Sequence, residues 1–90
     1  MEHLQINIKG RVQGVFFRLT SKAVADQIGI KGMIKNLPDG SVYIEAEGKP
    51  FQLKLFLEWC EEGPENAQVE KVVIHKGELQ NYRNFEIIKH

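Results

Sequence analysis

Ninety residues with twelve basic and twelve acidic side chains allow one domain with one core, and show no overall charge bias toward nucleic acid or membrane. The single cysteine, Cys60, excludes an internal disulfide and a multi-cysteine zinc site and fits a reducing compartment. No charged start followed by an apolar stretch opens the chain, and no apolar run could span a bilayer, so the sequence reads as a single cytoplasmic domain over residues 1–90.

Residues 3–11 alternate with period two, Leu4, Ile6 and Ile8 facing one way and Gln5, Asn7 and Lys9 the other. This predicts a strand. Residues 12–16 form a turn. A helix follows from about Phe17 to Ile28, with Phe17, Ser21, Val24 and Ile28 on one face and Gly29 at the left-handed cap position. Ile30 to Leu37 is a second strand ending at Pro38, and Asp39-Gly40 signals a two-residue hairpin turn. Ser41 to Glu47 alternates again.

Pro50 opens a second helix whose stripe is Leu53, Phe56, Leu57 and Cys60. Leu55 and Trp59 lie off that stripe, either under the chain returning after Gly63 or as a partner surface. Gly63-Pro64 ends the helix. Val69 to His75 is a fourth strand, Lys76 to Arg83 a polar connection, and Asn84 to Lys89 a short fifth strand. The order β-α-β-β-α-β plus a short fifth strand predicts an α+β fold, the ferredoxin-like split βαβ sandwich. Both helices are expected on one face of an antiparallel sheet.

The stretch from Gly10 to Arg18 carries the chemistry. A strand that breaks at glycines and restarts as a helix presents unpaired backbone N–H groups at the helix entrance, which attract anions. Arg18 adds a permanently charged fork suited to phosphate oxygens. A phosphate cradle is therefore expected over Gln13, Gly14, Val15, Phe16, Phe17 and Arg18. Lys9, Arg11, Lys31 and Lys35 supply a local basic excess near it. His3, His75 and His90 are not at ligand spacing, and no acidic cluster falls in this stretch. Hence no metal and no cofactor are implied. His3 and His75 read as solvated strand residues and His90 as a loose terminus. Cys60 reads as a core residue rather than a nucleophile.

The chain resembles the acylphosphatase family. Val12-Gln13-Gly14-Val15-Phe16-Phe17-Arg18 matches the family's phosphate-loop signature, and Gly29 to Asn36 followed by Asp39-Gly40 matches its second signature. Gly63 to Val69 and Phe85-Glu86-Ile87 also look like family positions. The chain departs at Met33, where the family usually has tryptophan. The resemblance implies a metal-free acylphosphate phosphohydrolase, with Arg18 on the phosphate and Asn36 positioning the attacking water. Its partners would be a small-molecule acyl phosphate and, as competing ligand, inorganic phosphate or sulfate. Acetyl phosphate, carbamoyl phosphate and 1,3-bisphosphoglycerate are family-type substrates, and a monomer is expected.

Two other functions fit parts of the sequence. A binding module could hold a phosphate or carboxylate regulator in the same cradle without turnover, although it would have no need of Asn36 beside the clamp. An RNA-binding sheet would need outward aromatics and a basic face. Tyr43 is the one clear outward aromatic, so no nucleic-acid partner is expected.

Overall fold

A computed structural model describes residues 1–89; the expectation for His90 lies outside them. The elements are β1 (Glu2–Arg11), α1 (Phe17–Ile28), β2 (Lys31–Asn36), β3 (Val42–Gly48), α2 (Pro50–Glu62), β4 (Gln68–Gly77) and β5 (Phe85–Ile88). They follow the predicted order. One five-stranded sheet runs β4-β1-β3-β2-β5. The first four strands pair antiparallel, as expected, but β5 pairs parallel to β2, Ile34 opposite Ile87. The sheet is therefore mixed. The β4–β5 connection crosses the sheet from one edge to the other before β5 begins, which is why β5 runs with β2 rather than against it.

The core lies between the sheet and the two helices. Period-two alternation turns Leu4, Ile6 and Ile8 of β1 inward, with Ile34 of β2 and Val42, Ile44 and Ala46 of β3 beside them. Against these pack Phe17 and Ala25 from α1 and Leu53, Phe56 and Cys60 from α2. Each fully buried side chain of this size contributes roughly 1.5–3 kcal/mol. Val24 and Ile28 only flank this core, and buried Ala25 takes the central place on the α1 face. Trp59 joins the core edge, its ring 5.5 Å from that of Phe17. Leu55 remains exposed.

Three local features aim the functional segments. Gly10, at φ 130°, sits at a bulge where the β1–β4 register shifts, and a Cβ there would collide with the Gln68 carbonyl. The bulge bends the chain out of the sheet toward the loop that follows. At the far end of β2 the turn is not the predicted two-residue one. Gly40 N–H donates to Leu37 O (3.1 Å) and Leu37 N–H to Ser41 O (2.9 Å), so Pro38 and Asp39 are the central residues and Gly40, at φ 92°, forms the left-handed exit. Pro38 presets the first central position, which shifts the turn one residue toward the N-terminus. Finally, the Gln52 side chain accepts from Lys49 N–H (2.8 Å) and donates to Ile28 O (3.1 Å), fixing the start of α2 to the end of α1.

The face of the sheet away from the helices holds a buried polar cluster. His3 is not solvated: it is 3 % exposed, and its Nδ1 stands 2.7 Å from Glu47 Oε2 and its Nε2 3.3 Å from Glu45 Oε1. Glu47 also accepts from the backbone N–H groups of Gln80 and Tyr82, and Tyr82 stacks over His3. The β4–β5 connection thus covers a face that strand alternation alone would leave in water. His75, by contrast, is exposed as expected.

Candidate active site

Helix α1 begins without a cap. Its N-cap residue, Phe16, adopts the left-handed conformation at φ 60° and provides no side-chain cap hydrogen bond. The helix's first turn has no acidic residue. Thr20 N–H makes the first helical bond, to Phe16 O (3.0 Å). The N–H groups of Phe17, Arg18 and Leu19 precede it and have no intrahelical acceptor. A bulky residue at positive φ is uncommon and is held there by its surroundings. Here Phe17 is clamped in the core against Trp59, while the Phe16 side chain is left 72 % exposed at the lip.

In front of this helix start lies a cavity of about 200 Å³ lined by Gly14, Phe16, Phe17, Arg18, Leu19 and Asn36. Asn36 arrives from β2. The strand's two-residue period puts it on the same side as buried Ile34, so it continues the inward row just where the sheet runs out beyond α1. Arg18 is half-buried, and its Nη1 donates to Ile88 O at 3.2 Å. The remaining guanidinium donors are not engaged by another described residue. Among the described residues, Asn36 Oδ1 is buried and accepts from no donor, and its NH2 group has no hydrogen-bond partner.

The structure therefore brings Arg18 and Asn36 to one cavity together with Gly14, Phe16 and Phe17. Gln13 and Val15 do not line it. Val15 packs against the core, and the Gln13 carboxamide turns away to the β2–β3 turn. Leu19 lines the cavity and was not singled out from the sequence. Its signal is that it lies off the α1 stripe and three residues after Phe16, on the outward side of the first turn. Of the local basic excess, Lys9, Arg11 and Lys31 are exposed, and Lys35 lies over the Tyr43 ring, 5.7 Å from its centroid. Among the described residues, no three His, Cys, Asp or Glu side chains are placed to hold a metal ion. Cys60 is buried, and burial pushes its thiol well above the ordinary range, so it is held as an inert thiol.

An uncapped helix start, an arginine fork and a carboxamide thus surround one small cavity on a split βαβ scaffold. The acylphosphatase family model matches residues 4–87. An acylphosphatase of Archaeoglobus fulgidus is 48% identical over 84 residues, covering 93% of this chain and 94% of that one. One from Lactiplantibacillus plantarum is 40% identical over 88 residues, covering 97% and 98%. A crystal structure of acylphosphatase from Bacillus subtilis superposes with a TM-score of 0.95 at 34% identity, covering 98% of this chain and 99% of that one. The chain belongs to the acylphosphatase family, and it is a hydrolase. Among the described residues, no helix is long and apolar enough to cross a membrane.

Proposed function

We propose that this hydrolase cleaves the carboxyl–phosphate bond of small acyl phosphates, with Arg18 and the unpaired amides at the start of α1 holding the phosphate and Asn36 positioning the attacking water. An acyl phosphate is a mixed anhydride. Water attacks phosphorus, the bond between phosphorus and the bridging oxygen breaks, and a carboxylate and inorganic phosphate leave. The departing carboxylate belongs to an acid of pKa about 4, so it leaves without protonation and no general acid is required. The transition state is loose, with charge on the equatorial phosphoryl oxygens. Fixed donors that already point at those oxygens lower the barrier without reorganising. Unpaired N–H groups and the Arg18 fork are donors of that kind. Asn36 Oδ1, which no donor of the described residues occupies, is placed to accept from the water.

The observation that carries this reading is the shared cavity: Arg18, the uncapped α1 start and Asn36 face the same 200 Å³ space. The protein is read as a monomer, since one chain lines the whole cavity, and as cytoplasmic, since its lone thiol, Cys60, fits a reducing compartment. The test is phosphate release from benzoyl phosphate with EDTA present. Turnover that survives EDTA supports a metal-independent hydrolase, and binding of phosphate without any turnover would favour a regulator-binding module instead.

A further inference from the structure

We infer that the Gln13 side chain is a positioning residue: a brace that sets the distance between the phosphate cradle and Asn36. The inference rests on the role proposed above for Asn36. Gln13 Nε2 donates both its hydrogens across the molecule, to Leu37 O at 2.8 Å and to Ser41 O at 2.9 Å. Leu37 directly follows Asn36, and Ser41 closes the same turn through Leu37 N–H. The brace therefore grips the two carbonyls that frame the chain leaving Asn36.

The link spans two strands that the sheet does not pair. The cradle follows β1, Asn36 ends β2, and β3 lies between those strands. No ladder hydrogen bond joins β1 to β2. On the α1 side Arg18 reaches β2 by way of Ile88 of β5, while, among the described residues, the loop before α1 has no such tie to the turn that follows Asn36 other than Gln13. The turn is gripped a second time from β1 itself: Asn7 Nδ2 donates to Ser41 Oγ at 3.1 Å, and Ser41 Oγ and N–H both donate to Asp39 Oδ1. A turn held from both sides has little freedom to drift. Catalytic groups must keep their geometry to about 0.5 Å, and a misplacement of about 1 Å costs on the order of 10²-fold.

The test is a double-mutant cycle on Gln13→Met and Asn36→Ala, reading kcat, the competitive Ki for inorganic phosphate, and the urea midpoint. Methionine keeps the length of glutamine and removes both donors. We expect Gln13→Met to lower kcat on the order of 10-fold with the phosphate Ki changed less than about threefold. In the Asn36→Ala background the same substitution should cost less than about twofold, because a brace acting through Asn36 has nothing left to position. Gln13→Glu, of equal length and without amide hydrogens, carries the same cycle if Gln13→Met does not fold. Additive losses in the two backgrounds, or a lowered urea midpoint with unchanged kcat per folded molecule, would overturn the brace. An Asn36→Ala enzyme with undiminished kcat would overturn the Asn36 reading and the brace with it, whereas a collapsed Asn36→Ala beside an unaffected Gln13→Met overturns the brace alone.

Discussion

The Arg18 guanidinium donates through Nη1 to the carbonyl oxygen of Ile88, 3.2 Å away. One prong of the fork is thereby committed to the backbone of β5, seventy residues along the chain, and its other donors are engaged by no described residue. Lys22, one turn further along α1, makes a parallel contact to Phe85 O at 2.8 Å. Strand β5 is thus held to α1 at both ends and fixes how the arginine enters the cavity.

That geometry makes arginine irreplaceable by charge alone. Lysine keeps the charge but offers a single ammonium that cannot reach Ile88 and a phosphate together in a planar fork. Arg18→Ala and Arg18→Lys should both raise KM and lower kcat/KM by at least about 10²-fold. A chain ending at Ile87 retains Arg18 but loses both the carbonyl that orients it and the pairing of Ile88 with Lys35, and should raise KM and lower the urea midpoint together. Near wild-type kcat/KM for Arg18→Lys would remove the clamp role.

A cradle of unpaired amides and an arginine should bind phosphate or sulfate whether or not turnover occurs, because both present the same oxygens. Inorganic phosphate should inhibit competitively against benzoyl phosphate. Its Ki should rise in Arg18→Ala at least as far as KM does. Noncompetitive inhibition would move the anion away from the cavity.

Asn36 separates the enzyme from a mere binder. Removing a group that only orients water leaves phosphate binding intact. We expect Asn36→Ala to lower kcat on the order of 10²–10³-fold with Ki little changed. Because Oδ1 makes no hydrogen bond to the described residues, its loss should also leave the urea midpoint nearly untouched. A lowered midpoint with normal kcat would instead mark Asn36 as a shaping residue of the Pro38–Gly40 turn.

Much of this architecture was legible in the sequence, and the exceptions share a cause. Strands β1 and β3 and the start of α1 declare themselves by local period, since alternation and helical spacing are set by neighbouring residues. Arg18 and Asn36 were found on motif positions, and the fold brings them to one cavity. Three things depended on segments distant in sequence. The parallel sense of β5 follows from the path of its connection, which no strand pattern encodes. His3 occupies an outward position on β1 and was read as solvated; only the return of residues 78–83 over that face buries it. Gln13 sits in the phosphate-loop signature, yet its side chain serves a turn 24 residues away. A sequence motif indicates that a glutamine is present and does not indicate which way it points.

The buried face gives a pH-dependent prediction. Burial raises the carboxyl of Glu47, but the Gln80 amide, the His3 side chain and the Tyr82 amide together outweigh it and hold the group below its ordinary value. A carboxylate whose folded pKa is depressed contributes stability above the unfolded pKa of about 4.3, and that contribution is lost as pH falls through the folded value. Glutamine at this position keeps a single acceptor oxygen, and its NH2 group would face the backbone N–H of either Tyr82 or Gln80, leaving two donors opposed. Glu47→Gln should therefore lower stability at pH 7 by about 2 kcal/mol or more, the range for buried bonds to a charged acceptor. Below the ordinary carboxylate range the gap between the two proteins should narrow, because the wild-type group is then neutral as well. Nearby, burial and then Glu45 push Tyr43 and Tyr82 up to about 12, so neither tyrosine titrates in this window. Urea midpoints at pH 7, 5 and 3.5 for both proteins are the measurement. Parallel pH profiles would show that the carboxylate's charge contributes nothing to fastening the β4–β5 connection. A profile for Glu47→Gln that is flatter on the acid side is the expected result, with kcat/KM at pH 7 reduced only as far as the loosened connection disturbs Ile88 and, through it, Arg18.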